Sequence, residues 1–407
     1  MVFTSGAAVG SVVGFARRRL RDVRSFMRAF VPESMRVAPA LLCVAVLCAC
    51  GSETVPPDAG PLPDASRDAG VPEDAGEAQD DASAPRDGGP AADGGSVYAM
   101  AEDPLPLAGC TIFPRDTVFH ADIRTLPVHP RSAEWIAYLG ATSALRVPSL
   151  PIPMAPLPPG RYGVPINVAD AGTARVRVEY NGVYAIERQY DGPFPKPSPF
   201  AIQDGFDQHS VVLETSECAS YELIGTTDFF GVLRALGGAR VDLSSHDYLP
   251  MAHAVTAPGI ANLPTLLRAD EVRAGHIDHV MLFSMPRVKS TDPLWPAKRT
   301  DGIATETAAI PMGAWLRLRA DFDVTALPPA AQIVARALQR HGLLLGDSGG
   351  VADALVMRIE KTSGFVDASG RSVEDELHAI QRFVTAGDFE VIDALPMQVD
   401  PDSLRIR

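Results

Sequence analysis

The pattern of short apolar runs predicts an α+β domain, with a mainly antiparallel β-sheet or sandwich at its centre and a few peripheral helices. Three observations lead there. Several runs alternate apolar and polar residues at a period of two, as in Arg175-Val-Arg-Val-Glu-Tyr180. Few segments carry a helical period. Strand-like and helix-like segments do not alternate regularly along the chain, as a doubly wound parallel sheet requires.

In chain order, residues 132–139 read as a helix opening on a capping serine, Ser132. Residues 148–159 are rich in proline but studded with Leu, Ile and Met, so they are expected to lie across the domain. Residues 175–180 form a strand. Residues 210–214 and 221–224 flank a short turn and predict a hairpin. Further strands are expected at 279–283, 316–320 and 355–359. An amphipathic helix at 330–341 stops at Gly342, a C′ glycine. Ser372 is placed to cap a helix at 373–384, with Asp375 at its third position.

The N-terminal part reads as an address. Met35-Arg-Val-Ala-Pro-Ala-Leu-Leu-Cys-Val-Ala-Val-Leu-Cys-Ala-Cys50 has one arginine, a short apolar run and a small-residue end, the layout of a secretory signal. Residues 1–34 are long, with six arginines spread through them, and do not fit an n-region. Met35 therefore reads as the true start. Residues 51–97 carry eleven acids and two arginines and repeat Asp-Ala-Gly, Asp-Ala-Ser and Asp-Gly-Gly. With so few large aliphatics they cannot offset the entropy of ordering, and they are expected to form a disordered tether. Residues 98–407 are expected to form a single globular domain with a net charge of -10, against -14 for the chain. An acidic domain repels a phosphate backbone, which argues against nucleic acid as a partner. No run reaches the ~18 apolar residues of a spanning helix.

Of five cysteines, Cys43 and Cys48 fall in the signal, and Cys50 closes it. Cys110 and Cys218 remain, and a pair in an exported domain reads as a disulfide. No histidine lies at the spacing that would complete a zinc site with them.

Two stretches resemble known patterns. Leu47-Cys-Ala-Cys50 resembles the lipobox of bacterial lipoproteins, which implies cleavage before Cys50 and a diacylglycerol on its thiol. The tether resembles the Asp-Ala-Gly tethers of myxobacterial lipoproteins. The globular part resembles an uncharacterised domain of secreted bacterial proteins and lipoproteins. The likeness is carried by Cys110-Thr-Ile-Phe-Pro-Arg-Asp116, Leu126-Pro-Val128, the Ser-Ala-x-Trp-Ile helix start and Asp207-Gln-His209. It continues through Cys218-x-x-Tyr221-Glu-Leu223, Asp242-Leu243, Leu263-Pro264, Arg268-x-Asp270-Glu-Val272, Gly275-x-Ile277-x-His279, Trp295-Pro-Ala297 and Gly342 to Asp347. It spans about residues 108–393. It implies one domain and supports the Cys110–Cys218 pairing, but implies no reaction and no cofactor.

Chemistry is suggested in three places. Gly346-Asp-Ser-Gly-Gly350 spells the surroundings of a protease serine and fits the hydrolase elbow Gly-x-Ser-x-Gly. The elbow needs a helix after the serine, and Gly349-Gly350 starts a helix poorly. His253 and Asp278 come in the order of a trypsin-like triad but too close together in sequence for two barrels. The resembling domains carry Asn where Ser348 stands, so the stretch reads as a Gly-rich turn. The second place is the hairpin. Pairing Ser216 with Ala219 sets Leu213 opposite Glu222 and His209 opposite Thr226, so Asp207, His209 and Glu222 share a face. With His279 they could act as general acid and base, or hold a metal, although no metal ligand is assigned. Val211 and Leu213 share that face, so a buried His–Glu hydrogen bond is the competing account. The third place is Asp347 with Trp295, Lys298 and Arg299, a combination of aromatic ring and polar groups suited to binding sugars.

Two functions follow as expectations. The first is a hydrolase or lyase of the cell envelope, on its periplasmic face or the cell surface, acting on an extracellular polymer such as glycan. The alternative is a non-catalytic module binding glycan or a protein partner. Either is held to the membrane by lipid on Cys50. Cys50→Ser should abolish fatty-acid labelling and membrane fractionation and leave unprocessed precursor; a variant still processed and membrane-bound would show that the anchor lies elsewhere.

Overall fold

The computed structural model describes residues 104–148, 163–181, 190–205, 207–247, 255–361 and 364–407. Met35, Cys50, the tether, residues 149–159 and His253 lie outside them. All described residues fall in one contact unit, Gly88–Arg407.

Fifteen strands are described. Six form the main sheet: β1 (Ala144–Arg146), β11 (Met281–Ser284), β12 (Trp315–Leu318), β13 (Leu343–Asp347), β14 (Ala354–Met357) and β15 (Phe389–Ile392), in the order β1-β14-β11-β13-β12-β15. A second sheet holds β2 (Ile166–Ala169), β6 (Ser210–Glu214), β7 (Ala219–Ile224) and β10 (Gly237–Asp242), in the order β10-β7-β6-β2. Two small sheets complete the set. One pairs β3 (Arg175–Val176) with β5 (Phe194–Pro195); the other orders β4 (Val178–Tyr180), β9 (Val232–Ala235) and β8 (Thr227–Phe229). The class is α+β and mainly β, as the sequence predicts. The sheets are mixed, however: β1–β14, β11–β13, β2–β6 and β4–β9 are parallel pairs.

The layering follows from side-chain alternation. Along β13, Leu343 and Leu345 belong to one core and Leu344 to another; along β11, Met281 and Phe283 part from Leu282 in the same way. The first core is shared with the helices α1 (Ser132–Leu139), α2 (Ala269–Ala274), α3 (Pro329–Arg340) and α4 (Glu374–Ala379). The second is shared with Val211, Leu213 and Val241 of the second sheet. That sheet's other face, through Val212, Tyr221 and Leu223, packs on Val178, Phe194 and Leu233 of the small sheets. Helices, main sheet, second sheet and small sheets therefore stack as successive layers, and both larger sheets are buried on two faces.

Several elements differ from the sequence reading. Residues 175–180 do not form one strand: the chain breaks at Arg177, and β3 and β4 join different sheets. Strict alternation could not show this, because each half alternates within its own sheet. Strand β11 begins at Met281, two residues past His279. Ser132 does not cap α1; Arg131 holds the cap position, and the Ser132 hydroxyl accepts from the Val391 backbone N–H at 2.8 Å. The helix expected at 373–384 is the single turn-and-a-half of α4 followed by a 3₁₀ turn, and Val373 rather than Ser372 precedes it. Gly342 does end the α3 region, at φ +77°; a Cβ there would lie 2.5 Å from the Leu316 carbonyl oxygen and 2.6 Å from Ile123 Cδ1.

Cys110 and Cys218 are bonded across a separation of 108 residues. The bridge ties the start of the described chain to the β6–β7 turn. In the chain-entropy account, closing a loop of this length contributes about 4–5 kcal/mol. Replacing both cysteines by alanine should lower the unfolding free energy by about that amount in a urea titration, and an unchanged midpoint would refute the account.

Candidate functional site

The β6–β7 hairpin pairs Glu214 with Ala219 and Val211 with Glu222. The register is thus two residues away from the expected one, in which Leu213 faced Glu222. The reason is local. The Glu214 carboxylate accepts from the Ser216 hydroxyl at 2.6 Å and from the Glu217 N–H at 2.8 Å, closing a four-residue loop, and Cys218 takes a positive φ of 45° beside the disulfide. A shift of two preserves the face. Glu222 therefore shares a side with Val211 and Leu213, and that side is the interface between the two larger sheets.

Glu222 is fully buried there. Its carboxylate accepts from the Asn262 N–H at 2.8 Å, the Leu263 N–H at 3.0 Å, the Asn262 side-chain amide at 3.2 Å and the Ser220 hydroxyl at 3.1 Å. Burial pushes its pKa up against the pull of these donors. Glu222 is a latch between β7 and the 3₁₀ turn Leu263–Thr265.

His279 lies apart from it. It is 3% exposed, its Nδ1 bonds the Val280 carbonyl at 2.8 Å, and its Nε2 is 2.8 Å from Glu271 Oε1 without good hydrogen-bond alignment. Glu271 is also held at 2.9 Å by Arg268, a guanidinium only 2% exposed, which reaches Asp270 at 3.1 Å as well. Burial would raise the Glu271 pKa, but the His279 ring and Arg268 bring it below its ordinary value. Two more buried imidazoles bind backbone carbonyls nearby: His120 to Asp278 and Ile112, and His341 to Ala121. Burial drives His341 down to about 3. Each of these buried imidazoles is anchored through a ring nitrogen to the main chain, while the Nε2 atoms of His279 and His341 have no hydrogen-bond partner among the described residues.

Asp207 and His209 do meet a residue of the expected binding cluster. His209 Nε2 is 4.0 Å from Asp207 Oδ2. His209 is 2% exposed, its Nδ1 lacks a hydrogen-bond partner, and burial followed by the Arg358 charge holds its pKa well below the ordinary value. Asp207 is exposed. Partial desolvation, then the charges of Asp347 and Asp301, push its carboxyl up, while Arg358 pulls it down. Asp301 is pushed up by desolvation and by Asp347. Arg358 stands among these acids, 2.9 Å from Asp347 Oδ2, with its other arm on the Asn262 side chain at 2.5 Å. Arg358 and Asp301 escaped the sequence reading. For Arg358 a signal existed, one charge inside the apolar run Leu355-Val-Met-Arg-Ile359; for Asp301 there was none.

Ser348 sits in a turn after β13. Its hydroxyl reaches the Asp301 carbonyl, at 3.5 Å, and also bears on the Asp301 carboxyl; the next element is strand β14, so the helix that a hydrolase elbow needs is missing.

The rest of the expected binding cluster is dispersed. Lys298 bonds Asp402, and Arg299 donates to the Ala257 carbonyl at 2.8 Å. Trp295 lines a different cavity, with His129, Trp315, Gly313 and Asp393, of about 320 Å³ counting its mouth. Its Nε1 has no acceptor among the described residues. His129 stacks on Trp135, ring centroids 4.4 Å apart, and its Nδ1 accepts from the Arg131 N–H at 3.1 Å, which leaves the proton on Nε2.

Among the described residues no group of three or more His, Cys, Asp or Glu is arranged to hold a metal ion. No family model, curated protein or solved structure matches this chain.

Glu222→Gln should therefore act on stability. It sets an amide against two N–H or O–H donors, each loss worth about 1–3 kcal/mol, and should destabilise by about 2–6 kcal/mol in a denaturant titration. Because the folded pKa of Glu222 is raised, the unfolded carboxyl ionises first, so the wild type loses stability as pH rises from the ordinary glutamate value through the raised one. The variant should lack that decline; an identical pH profile would count against the assignment.

Proposed function

We propose that this chain is a lipid-anchored protein of the cell envelope whose globular domain binds an extracellular glycan without cleaving it. One observation carries the reading. His209, Glu222 and His279, the groups best suited to acid–base chemistry, are 2%, 0% and 3% exposed. A general acid or base must come within about 2.6–3.2 Å of the proton it moves, and side chains beneath packed layers cannot do so. The cavity at Trp295 supports the glycan half of the reading. It offers an indole, the His129 Nε2–H donor and the Asp393 carboxylate against the apolar Leu294 and Ile392.

A second reading, a glycan hydrolase or lyase, has one observation in its favour. Asp207 and Asp301 are exposed carboxyls, both with pKa raised by desolvation and by the charge of Asp347 near them. The two readings separate in one experiment with the full chain on a panel of polysaccharides. Retention without new reducing ends or unsaturated sugars is the expected result. Release of either product, lost about 10²–10⁴-fold in Asp207→Asn, would establish the enzyme instead.

A further inference from the structure

A second cavity, of about 410 Å³ counting its mouth, opens where the loop after β11 meets the loop that joins β13 to β14. Its lining includes Tyr138, Met285, Arg287, Asp353 and Leu355. Arg287 and Asp353 are both exposed, and both are non-glycine residues at positive φ, +68° and +60°. Such backbone is uncommon and gathers at sites where a side chain must be presented in one direction.

Neither residue is held by an opposite charge among the described residues. Arg317, Arg340, Arg358 and Arg268 each bind a carboxylate. Arg287 binds none among the described residues. Its guanidinium instead lies over the Tyr138 ring, 4.6 Å from the centroid, a contact that fixes its plane without using its N–H groups. Asp353 likewise has neither hydrogen bond nor ion pair among the described residues, although it lines the same cavity. The Tyr138 hydroxyl is buried and has no hydrogen-bond partner among the described residues.

We infer that this cavity binds a free α-amino acid as its zwitterion. The guanidinium fork takes the carboxylate, a pairing for which its planar donors are suited. The Asp353 carboxylate takes the ammonium. Met285 and Leu355 supply apolar wall for a small side chain. A ligand that is only an anion meets the Asp353 charge as well as Arg287, and one that is only a cation meets Arg287 as well as Asp353. The walls thus select a molecule carrying both charges. The site is separate from the Trp295 cavity and stands whether or not that cavity binds glycan.

The test is calorimetric titration of the full chain with L-alanine and D-alanine, against N-acetylalanine, which lacks the cation, and alanine amide, which lacks the anion. At least one alanine enantiomer should bind, with both single-charge analogues about tenfold weaker or more. Arg287→Gln and Asp353→Asn should each weaken alanine binding about tenfold or more, since each leaves one ligand charge unpaired. Thermal unfolding and polysaccharide retention should stay unchanged in both variants. Absence of alanine binding, binding of N-acetylalanine as tight as that of alanine, or full affinity in Asp353→Asn would each overturn the inference.

Discussion

Burial of the main sheet on both faces is the constraint from which the rest of the domain follows. A strand covered on one side can send every second residue to water. Strands β11, β13 and β12 cannot, and Met281, Leu282 and Phe283, or Leu343, Leu344 and Leu345, are apolar without a break. Any polar group required at that depth must be satisfied from within. Arg317 shows the outcome. On β12, and 8% exposed, it gives one nitrogen to the Ile123, Arg124 and Leu126 carbonyls and grips Glu390 of the neighbouring strand with the other two. Glu222 and the set formed by Arg268, Glu271 and His279 meet the same demand by the same means.

That demand separates polar residues that hold the layers together from those free to meet a ligand. Residues of the first kind have their lone pairs and protons committed to main chain or to each other. Residues of the second kind stand where strands end. Asp207 precedes β6, Arg287 follows β11 and Asp353 precedes β14. Loops at strand ends escape double burial, so unpaired charge costs little there.

The same constraint governs what could be read from the sequence. The class was legible, and so were β6, β7, β11, β12 and β14, because short apolar runs such as Leu355-Val-Met357 announce strands wherever they pack; β1, β2, β5, β8, β9, β10 and β15 were not foreseen. The end of α3, with Gly342 beyond it, was legible because glycine acts locally. Whether a pair is parallel was not legible, since a strand carries the same alternation in either direction. The break at Arg177 and the weak helix after Ser372 were hidden because tertiary partners decide them. The disulfide was legible by elimination, once Cys43, Cys48 and Cys50 were read as parts of a signal, and the resemblance pointed the same way.

The candidate site divides along similar lines. Alternation placed Glu222, Val211 and Leu213 on one face, and a register error of two could not change that. What alternation cannot say is what covers the face. An exposed face would have made His209 and Glu222 an acid–base pair at the surface; burial instead holds the His209 imidazole well below its ordinary pKa and makes Glu222 a hydrogen-bond latch. The apolar neighbours Val211 and Leu213 were the clue, because two large aliphatics flanking a carboxylate on its own face are rarely left in water. Gly346-Asp-Ser-Gly-Gly350 fails as an elbow for a related reason. Chemistry at a serine depends on the element that receives the chain beyond it, and here the chain returns to the sheet as β14 instead of turning into a helix whose N-terminus could face the nucleophile. The residues then available to ligands are those whose partners the packing does not already supply.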